Sequence, residues 1–151
     1  MPLAAVALGS NLGDRRGHLE WAIGRLRASL ANLRASPFLD TEPVDVPDTQ
    51  PRYLNAVVVG ETDVPAETLL DTLRRLEGER GRERPSFRAA RTLDLDLIFY
   101  GDQVIRTEDL EVPHPRFRTR RFVLEPLATL APDWRDPVSG RTVGELLEEC
   151  L

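Results

Sequence analysis

The spacing of apolar residues divides the chain into strands and helices. An apolar run over residues 4–8 ends at Gly9 and predicts a buried strand that enters a turn. Leucine and isoleucine then recur at helical spacing, which predicts an amphipathic helix from about residue 17 to residue 31. Residues 36–41 are a candidate edge strand, and the valine-rich run over residues 53–61 predicts another strand.

The later part of the chain continues this alternation. The predicted elements are a helix from Pro65 toward Gly81, strands over residues 93–100 and around 104–105, and helices over residues 120–130 and 143–150. An Arg-rich stretch without apolar period predicts a mobile loop over residues 79–90.

The order of these elements predicts the fold class. Strand, helix, two strands, helix and strand is the βαββαβ order of a ferredoxin-like sandwich. This is an α+β fold, with helices packed on an antiparallel sheet and, in this chain, C-terminal additions. The chain has 151 residues, a length that suits one core, so we expect a single domain over residues 1–151.

Charge and composition limit the classes of partner. The net charge is -5, which argues against binding to nucleic acid. All 20 basic residues are Arg, so the phosphate-binding loop that requires Lys cannot be present. No apolar run is long enough for a membrane helix and no signal peptide is evident. With Cys150 as the single cysteine, we expect a cytoplasmic location and no membrane partner.

The most informative segment is residues 91–98. Asp94 and Asp96 lie two apart in a predicted strand, so both carboxylates share one face, while the alternating leucines face the helices. Mg²⁺ takes one or two carboxylates and completes its coordination with water and substrate phosphates, so the pair is a candidate magnesium site. The alternative is an exposed sheet face on which the two acids meet solvent or arginines.

Further charged residues lie close to this pair in the sequence. Arg91 precedes it directly and Arg82 lies in the loop before it, which suits a reaction that transfers phosphoryl groups. Glu77, near the end of the second helix, could orient a neighbouring group, although a charged helix surface also explains it. His114 stands between two prolines, which restrict its backbone and suit a binding residue.

A third group of residues suits a planar ligand. Asn55 offers a donor and an acceptor in one plane, as recognition of a heterocycle with amide-like edges requires. Tyr53 and Phe122 could stack on such a ring. Core packing or turn chemistry would explain each of these residues singly.

Several motifs follow one another in a recognisable order. They are G-S-N-L-G-D at residues 9–14, Y-L-N-A at 53–56, G-R at 81–82, R-T-L-D-L-D-L-I at 91–98, P-H-P-R at 113–116 and R-F-V-L at 121–124. In this combination the chain resembles the 6-hydroxymethyl-7,8-dihydropterin pyrophosphokinases of the folate pathway. The resemblance extends from Val6 to about Leu147.

The resemblance implies an ATP-dependent diphosphokinase that transfers pyrophosphate to the pterin alcohol and releases AMP. Its implied catalytic residues are Arg82, Arg91, Asp94 and Asp96, and both aspartates would hold magnesium, with two ions expected beside ATP. The implied ATP-binding residues are Glu77, Arg82, Arg91, Leu97, His114 and Arg120. The implied pterin-binding residues are Thr41, Pro43, Val44, Tyr53, Asn55, Asp94 and Phe122. The expected partners are ATP and a reduced pterin alcohol, and the expected state is a monomer.

Two other functions remain compatible with the residues. A magnesium-dependent nucleotidyltransferase could use the same paired aspartates and would release pyrophosphate. A non-catalytic ferredoxin-like module would bind a ligand and leave Asp94 and Asp96 as surface residues. Product analysis with ATP, magnesium and the reduced pterin separates all three.

Overall fold

The structure is a computed structural model that describes residues 1–42, 52–81 and 92–150. The elements of its first part are β1 (Leu3–Ser10), α1 (Arg15–Leu26), β2 (Ala31–Ala35), β3 (Leu39–Thr41), β4 (Tyr53–Glu61), α2 (Ala66–Gly81) and β5 (Asp94–Tyr100). The C-terminal elements are β6 (Ile105–Arg106), β7 (Glu111–Val112), a 3₁₀ turn (Phe117–Thr119), α3 (Arg121–Leu130) and α4 (Val143–Glu149).

The main sheet has the strand order β2-β4-β1-β5, with β3 also beside β4. Every pairing in it is antiparallel. β2 and β3 together occupy the place of the second strand of a βαββαβ unit, so the order is that of a ferredoxin-like sheet. The predicted fold class is therefore confirmed.

Alternate residues of the sheet pack into two separate cores. The first core lies under α1 and α2 and contains Val6, Leu8 and Val58. The second lies under α3 and α4 and contains Ala5, Val57 and Val59. Since β1 and β4 are covered on both faces, their central segments are apolar without interruption, as in strands buried on both sides.

The first helix is shorter than its leucine spacing predicts. Asp14 caps its start by accepting a hydrogen bond from the Gly17 amide at 3.1 Å. The helix ends at Leu26, whereas the prediction extended it to residue 31. Leu30 and Asn32 belong to the turn and strand that follow, and Asn32 has a left-handed φ of 54°. Leu30 is buried all the same, so apolar spacing alone did not reveal the change of element.

The second helix ends where its prediction placed the end, and it includes the first residues of the predicted loop over residues 79–90. It continues to Gly81, so residues 79–81, assigned from sequence to a loop, are helical. Glu79 forms an ion pair with Arg25 of α1 at 2.9 Å, which joins the two helices at this end. The remainder of the predicted loop, residues 82–90, lies outside the described residues.

A β-bulge interrupts the fifth strand. Val6 pairs with Leu97 and Ala5 pairs with Phe99, so β5 carries Ile98 as an extra residue. Ile98 and Phe99 consequently both pack into the second core, whereas Leu97 lies in the first.

The short strand predicted near residues 104–105 is found as β6, but it pairs with β7 and lies in a separate two-stranded sheet. The turn before it contains Gly101, whose φ of 57° explains the glycine. The last two predicted helices are confirmed as α3 and α4, and α4 begins with a capping box between Thr142 and Glu145. No helix among the described residues is long and apolar enough to cross a membrane.

Candidate active site

The paired carboxylates lie on the β5 face that looks toward the second core. Asp94 is opposite Gly9 and Asp96 is opposite Ala7 in the register with β1. Both aspartates are half-buried. On the other face the flanking leucines, Leu93, Leu95 and Leu97, are 2%, 5% and 4% exposed. The predicted separation of carboxylates from leucines is therefore confirmed.

The donor set fits a hard cation that shares its coordination with a substrate. Asp94 and Asp96 present carboxylate oxygens side by side on one strand, and such oxygens are preferred ligands of Mg²⁺. Within residues 1–42, 52–81 and 92–150, no group of three or more His, Cys, Asp or Glu side chains could hold a metal ion by itself. An ion at the pair would need further ligands from water and phosphate, as magnesium beside ATP commonly has.

A row of polar side chains crosses the same face of the sheet. Gly9 is opposite Asn55 on one side and Asp94 on the other, so these two residues are separated by two strand spacings, about 10 Å. The Asn55 amide donates to the Thr41 hydroxyl of β3 at 2.6 Å. Tyr53 lies on this face because it is two residues from Asn55 along β4. The predicted pterin residues of β3 and β4 thus share a surface with the carboxylates.

Gly9 makes room for two of these side chains. A Cβ at residue 9 would lie 3.2 Å from Asn55 Oδ1 and 3.5 Å from the Tyr53 ring. Both side chains therefore extend over β1 toward Asp94, into space that any other residue would fill. No role was assigned to Gly9 from sequence, although its position between a buried strand and the turn was noted.

The residues at the start of α3 extend the site on one side. Phe122 is partly buried against the second core. The guanidinium carbon of Arg120 lies 5.6 Å from the Phe122 ring centroid, within cation–π distance. Arg120 and Phe122, predicted to contact different substrates, are thus neighbours.

His114 is held by the bulge of β5. Its amide donates to the carbonyl of Ile98 at 2.7 Å. Burial lowers the pKa of His114 to about 4, and the positive charges of Arg120 and Arg116 act in the same direction, while Asp94 opposes them. Nδ1 accepts from the Arg116 amide at 3.2 Å. At pH 7 the ring is therefore neutral and its proton is on Nε2, which can donate to a ligand.

Glu77 and the main chain of Leu97 lie at the outer edge of β5, the strand that carries the two aspartates. The Glu77 carboxylate accepts from the Leu95 amide at 2.8 Å, so the main chain of Leu95 points away from β1. Main-chain groups two residues apart point the same way, so those of Leu97 also face this outer edge. The Leu97 side chain is 4% exposed in the first core. A contact between Leu97 and a nucleotide would therefore involve its main chain.

Four of the predicted site residues, Pro43, Val44, Arg82 and Arg91, lie outside the described residues. The structure brings together the other predicted pterin residues, the two aspartates, His114 and Arg120. His18, in the first turn of α1, accepts a hydrogen bond from Arg80 at 2.8 Å. Its Nδ1 is the acceptor, which links α1 to α2 near the end of the second helix.

A cavity of about 500 Å³ lies elsewhere, beside the start of α1. Leu54 lines it from the first core, whereas its neighbour Asn55 points to the opposite face. Arg15 in this cavity already pairs with Asp40 at 3.2 Å, and Arg16 lies 4.7 Å from the Phe38 ring centroid. We place the active site at the carboxylates because the groups able to perform chemistry converge there.

Comparison with known proteins identifies the family of this chain. The model of the family 7,8-dihydro-6-hydroxymethylpterin-pyrophosphokinase matches residues 5–132. The 2-amino-4-hydroxy-6-hydroxymethyldihydropteridine pyrophosphokinase of Synechocystis is 41% identical over 148 residues, which cover 97% of this chain and 75% of the relative. The enzyme of the same name from Pseudomonas aeruginosa is 42% identical over 147 residues, 96% of this chain and 90% of the relative.

Solved structures show the same fold at low sequence identity. The wild-type HPPK-DHPS of Plasmodium falciparum with SDX-DHP superposes with a TM-score of 0.79 at 15% identity. The alignment covers 98% of this chain but 44% of that protein, so the present chain corresponds to less than half of it. From the family model and the two bacterial relatives, the chain belongs to the 7,8-dihydro-6-hydroxymethylpterin pyrophosphokinase family of folate biosynthesis.

Proposed function

We propose that this protein transfers the pyrophosphoryl group of ATP to the hydroxymethyl group of 6-hydroxymethyl-7,8-dihydropterin. The hydroxymethyl oxygen forms a bond to the β-phosphorus, the bond from that phosphorus to the α,β-bridging oxygen breaks, and AMP leaves. The hydroxyl proton passes to solvent. The products are AMP and the pterin diphosphate.

One observation carries the proposal. The sheet register puts Asn55, which can recognise a planar amide-like edge, about 10 Å from Asp94 on one surface. That separation suits a bicyclic ring whose substituent ends near the carboxylates. Two substrates can therefore meet above β1, one recognised by hydrogen bonds and stacking and the other through metal-bound phosphates.

The pterin half of the site lies on β3, β4 and the start of α3. Asn55 is fixed by its bond to Thr41, which orients its amide plane before a ligand binds. Tyr53 and Phe122 would flank the ring and exclude water from it. Pro43 and Val44 would complete this half.

The nucleotide half lies on β5 and on residues 114–120. Asp94 and Asp96 would hold two magnesium ions, and the chemistry that such ions would supply here is neutralisation of the charge on the ATP phosphates. His114 donates through Nε2 to an acceptor on the nucleotide, and Arg120 contributes a permanent positive charge. Glu77 fixes the outer edge of β5, where the Leu97 main chain would face the base. Arg82 and Arg91 would contact the phosphates.

We further propose that residues 1–151 act as one unit and as a monomer, in the cytoplasm. The strands that carry the described pterin residues and the two aspartates belong to one sheet. The cytoplasm supplies the ATP that the reaction consumes.

Product identification tests the proposed function. The purified protein is incubated with ATP, magnesium and the reduced pterin, and nucleotides are separated by chromatography. We expect AMP and pterin diphosphate in equal amounts. ADP as the sole nucleotide product, or free pyrophosphate with a pterin adenylate, would refute the reaction and support a different transferase. No nucleotide turnover with retained pterin binding would support the ligand-binding module.

A further inference from the structure

A fully buried carboxylate lies outside the site described above. Asp136, between α3 and α4, is 0% exposed. Both of its oxygens accept from Arg118, with Nη2 to Oδ1 at 2.9 Å. Ser139 donates to Oδ2 at 2.7 Å and the Val138 amide donates to Oδ1 at 3.0 Å. The carboxylate is thus held by a bidentate arginine and two local donors, an arrangement that fixes direction as well as position.

Arg118 belongs to the short segment that carries both predicted nucleotide ligands of the C-terminal part. Residues 114–120, here called the His114–Arg120 segment, run through the 3₁₀ turn. The Phe117 amide donates to the His114 carbonyl at 3.3 Å, and the Arg120 amide donates to the Phe117 carbonyl at 3.2 Å. A displacement of Arg118 would therefore be passed through Phe117 to both ends of the segment.

Aromatic packing fixes the same segment from the same side. Phe117 is fully buried, and its ring meets Trp134 edge-on at 6.2 Å. Trp134 stacks on Phe99 at 3.8 Å and donates through Nε1 to the Gly101 carbonyl at 3.1 Å. The chain that follows α3 thus joins the His114–Arg120 segment to the end of β5. The Arg118–Asp136 pair adds a bidentate, directional side-chain constraint to this aromatic packing.

We propose that Asp136 is a positioning residue for nucleotide binding, acting through Arg118 to place His114 and Arg120. The inference rests on the proposed function, since it takes His114 and Arg120 as contacts of ATP. Asp136 would not touch the nucleotide. Its removal would let the segment shift, and a misplacement of about 1 Å in a binding group can cost on the order of a hundredfold in rate.

The test uses binding of an ATP analogue with a methylene group between the α- and β-phosphorus, which the reaction cannot cleave. Dissociation constants for the analogue with magnesium, and for the pterin, are measured by calorimetry at 10 °C. For Asp136→Asn and Arg118→Lys we expect the analogue to bind about tenfold more weakly, and the pterin within twofold of wild type. KM for ATP should rise accordingly. The matched control is Glu125→Gln, which removes the exposed Arg121–Glu125 pair on α3 and should change neither constant.

A double variant separates positioning from a general loss of stability. Arg118→Met should bind the analogue more weakly than wild type. If Asp136 acts through Arg118, adding Asp136→Asn to this variant should weaken binding no further, so the two dissociation constants should agree within twofold. Variants that melt earlier but bind the analogue as wild type does would overturn the proposal, and so would equal losses for analogue and pterin. If Asp136→Asn does not fold, Arg118→Lys decides by the same criteria.

Failure of the proposed function has a different signature. Wild-type protein that binds no analogue and forms no AMP would refute the assignment of the nucleotide half, and the role of Asp136 would be refuted with it. Wild-type turnover with AMP release and normal analogue binding in the variants would refute the role of Asp136 alone.

Discussion

The amide of His114 donates to the carbonyl of Ile98 at 2.7 Å, and Ile98 is the extra residue of the β5 bulge. The bulge exposes this carbonyl at the edge of the sheet, where regular pairing with a further strand is absent among the described residues. The strand that presents Asp94 and Asp96 thus also fixes the main chain of His114. Any change in the bulge should move the histidine relative to the carboxylates.

His114 should make the stability of the ligand-free protein depend on pH. Its pKa is about 4 in the folded protein and 6.5 ordinarily, because burial disfavours the charged ring. Between these values the unfolded chain binds more protons, so the free energy of unfolding rises with pH from about 4 to 6.5. His114→Asn lacks this contribution. The free energy of unfolding is measured by urea titration at pH 4.5 and at pH 7. Its change between these two pH values should be smaller for His114→Asn than for wild type, and an equal change would contradict the lowered pKa of His114.

Replacement of either paired aspartate should remove activity without unfolding the protein. Asp94→Asn and Asp96→Asn lose the charge needed to hold magnesium, whereas the leucines behind them remain in the first core. We expect a melting temperature near that of wild type and a fall in kcat of about a hundredfold or more. Asp102→Asn, in an exposed turn, is the control. Normal turnover of either variant at limiting magnesium would refute the metal role of that aspartate.

Enlargement of Gly9 should weaken pterin binding selectively. In Gly9→Ala the new methyl would lie 3.2 Å from Asn55 Oδ1, so the amide must shift by a few tenths of an ångström, which disturbs its bond to Thr41. We expect the dissociation constant for the pterin to rise about tenfold, since a buried hydrogen bond is worth about 1 kcal/mol or more. The ATP analogue should bind as before. Gly24→Ala, a helical glycine with nothing within 4 Å, should leave both constants unchanged. Unaltered pterin binding in Gly9→Ala would contradict this account of the glycine.

Glu77 should be more sensitive to truncation than to loss of charge. In Glu77→Ala the Leu95 amide loses its acceptor, which for a buried donor costs about 1–3 kcal/mol. Glu77→Gln keeps an oxygen that can accept. The free energy of unfolding in urea should therefore be higher for wild type and for Glu77→Gln than for Glu77→Ala. Glu79→Ala, which breaks exposed ion pairs with Arg25 and Arg75, should lower the free energy of unfolding less than Glu77→Ala does. A Gln variant as unstable as Ala would show that charge, and not the hydrogen bond, is what matters.

Sequence patterns predicted those helices and strands in which the apolar residues keep a single helical or strand spacing from end to end. The alternation of leucine and aspartate in β5 predicted which side chains lie on each face of the strand. Successive side chains of a strand point to opposite faces whatever its neighbours are, so no knowledge of the pairing was needed. The position of Ile98 was not predicted, since a bulge exists only in register with a second strand. Leu30 extends the helical spacing of α1, yet the helix ends at Leu26 and the chain then turns back through a left-handed Asn32. Local propensity does not reveal such a turn before the chain has folded back to β4.

Sequence reasoning named the residues of the candidate site but did not predict how they are arranged. Thr41 and Asn55 were grouped by chemistry and by resemblance, and their hydrogen bond appears only once β3 pairs with β4. Arg118 and Asp136 gave no signal, because they lie before and after α3 and belong to no common element in which a period would relate them. Arg82 and Arg91 remain predictions from the sequence.

Three small residues lie on one face of β1, and a larger side chain should have a different effect at each of them. Ala5 is fully buried in the second core, Ala7 lies opposite Asp96, and Gly9 lies opposite Asp94. They are spaced about 7 Å apart, since strand residues two apart share a face. A larger side chain should impair folding at residue 5, crowd the Asp96 carboxylate at residue 7, and displace Asn55 and Tyr53 at residue 9. Consider an inhibitor that contacts residues 5, 7 and 9 of β1. A substitution there that blocks the inhibitor with a larger side chain would also impair the protein's own folding or site, so such resistance mutations would be costly.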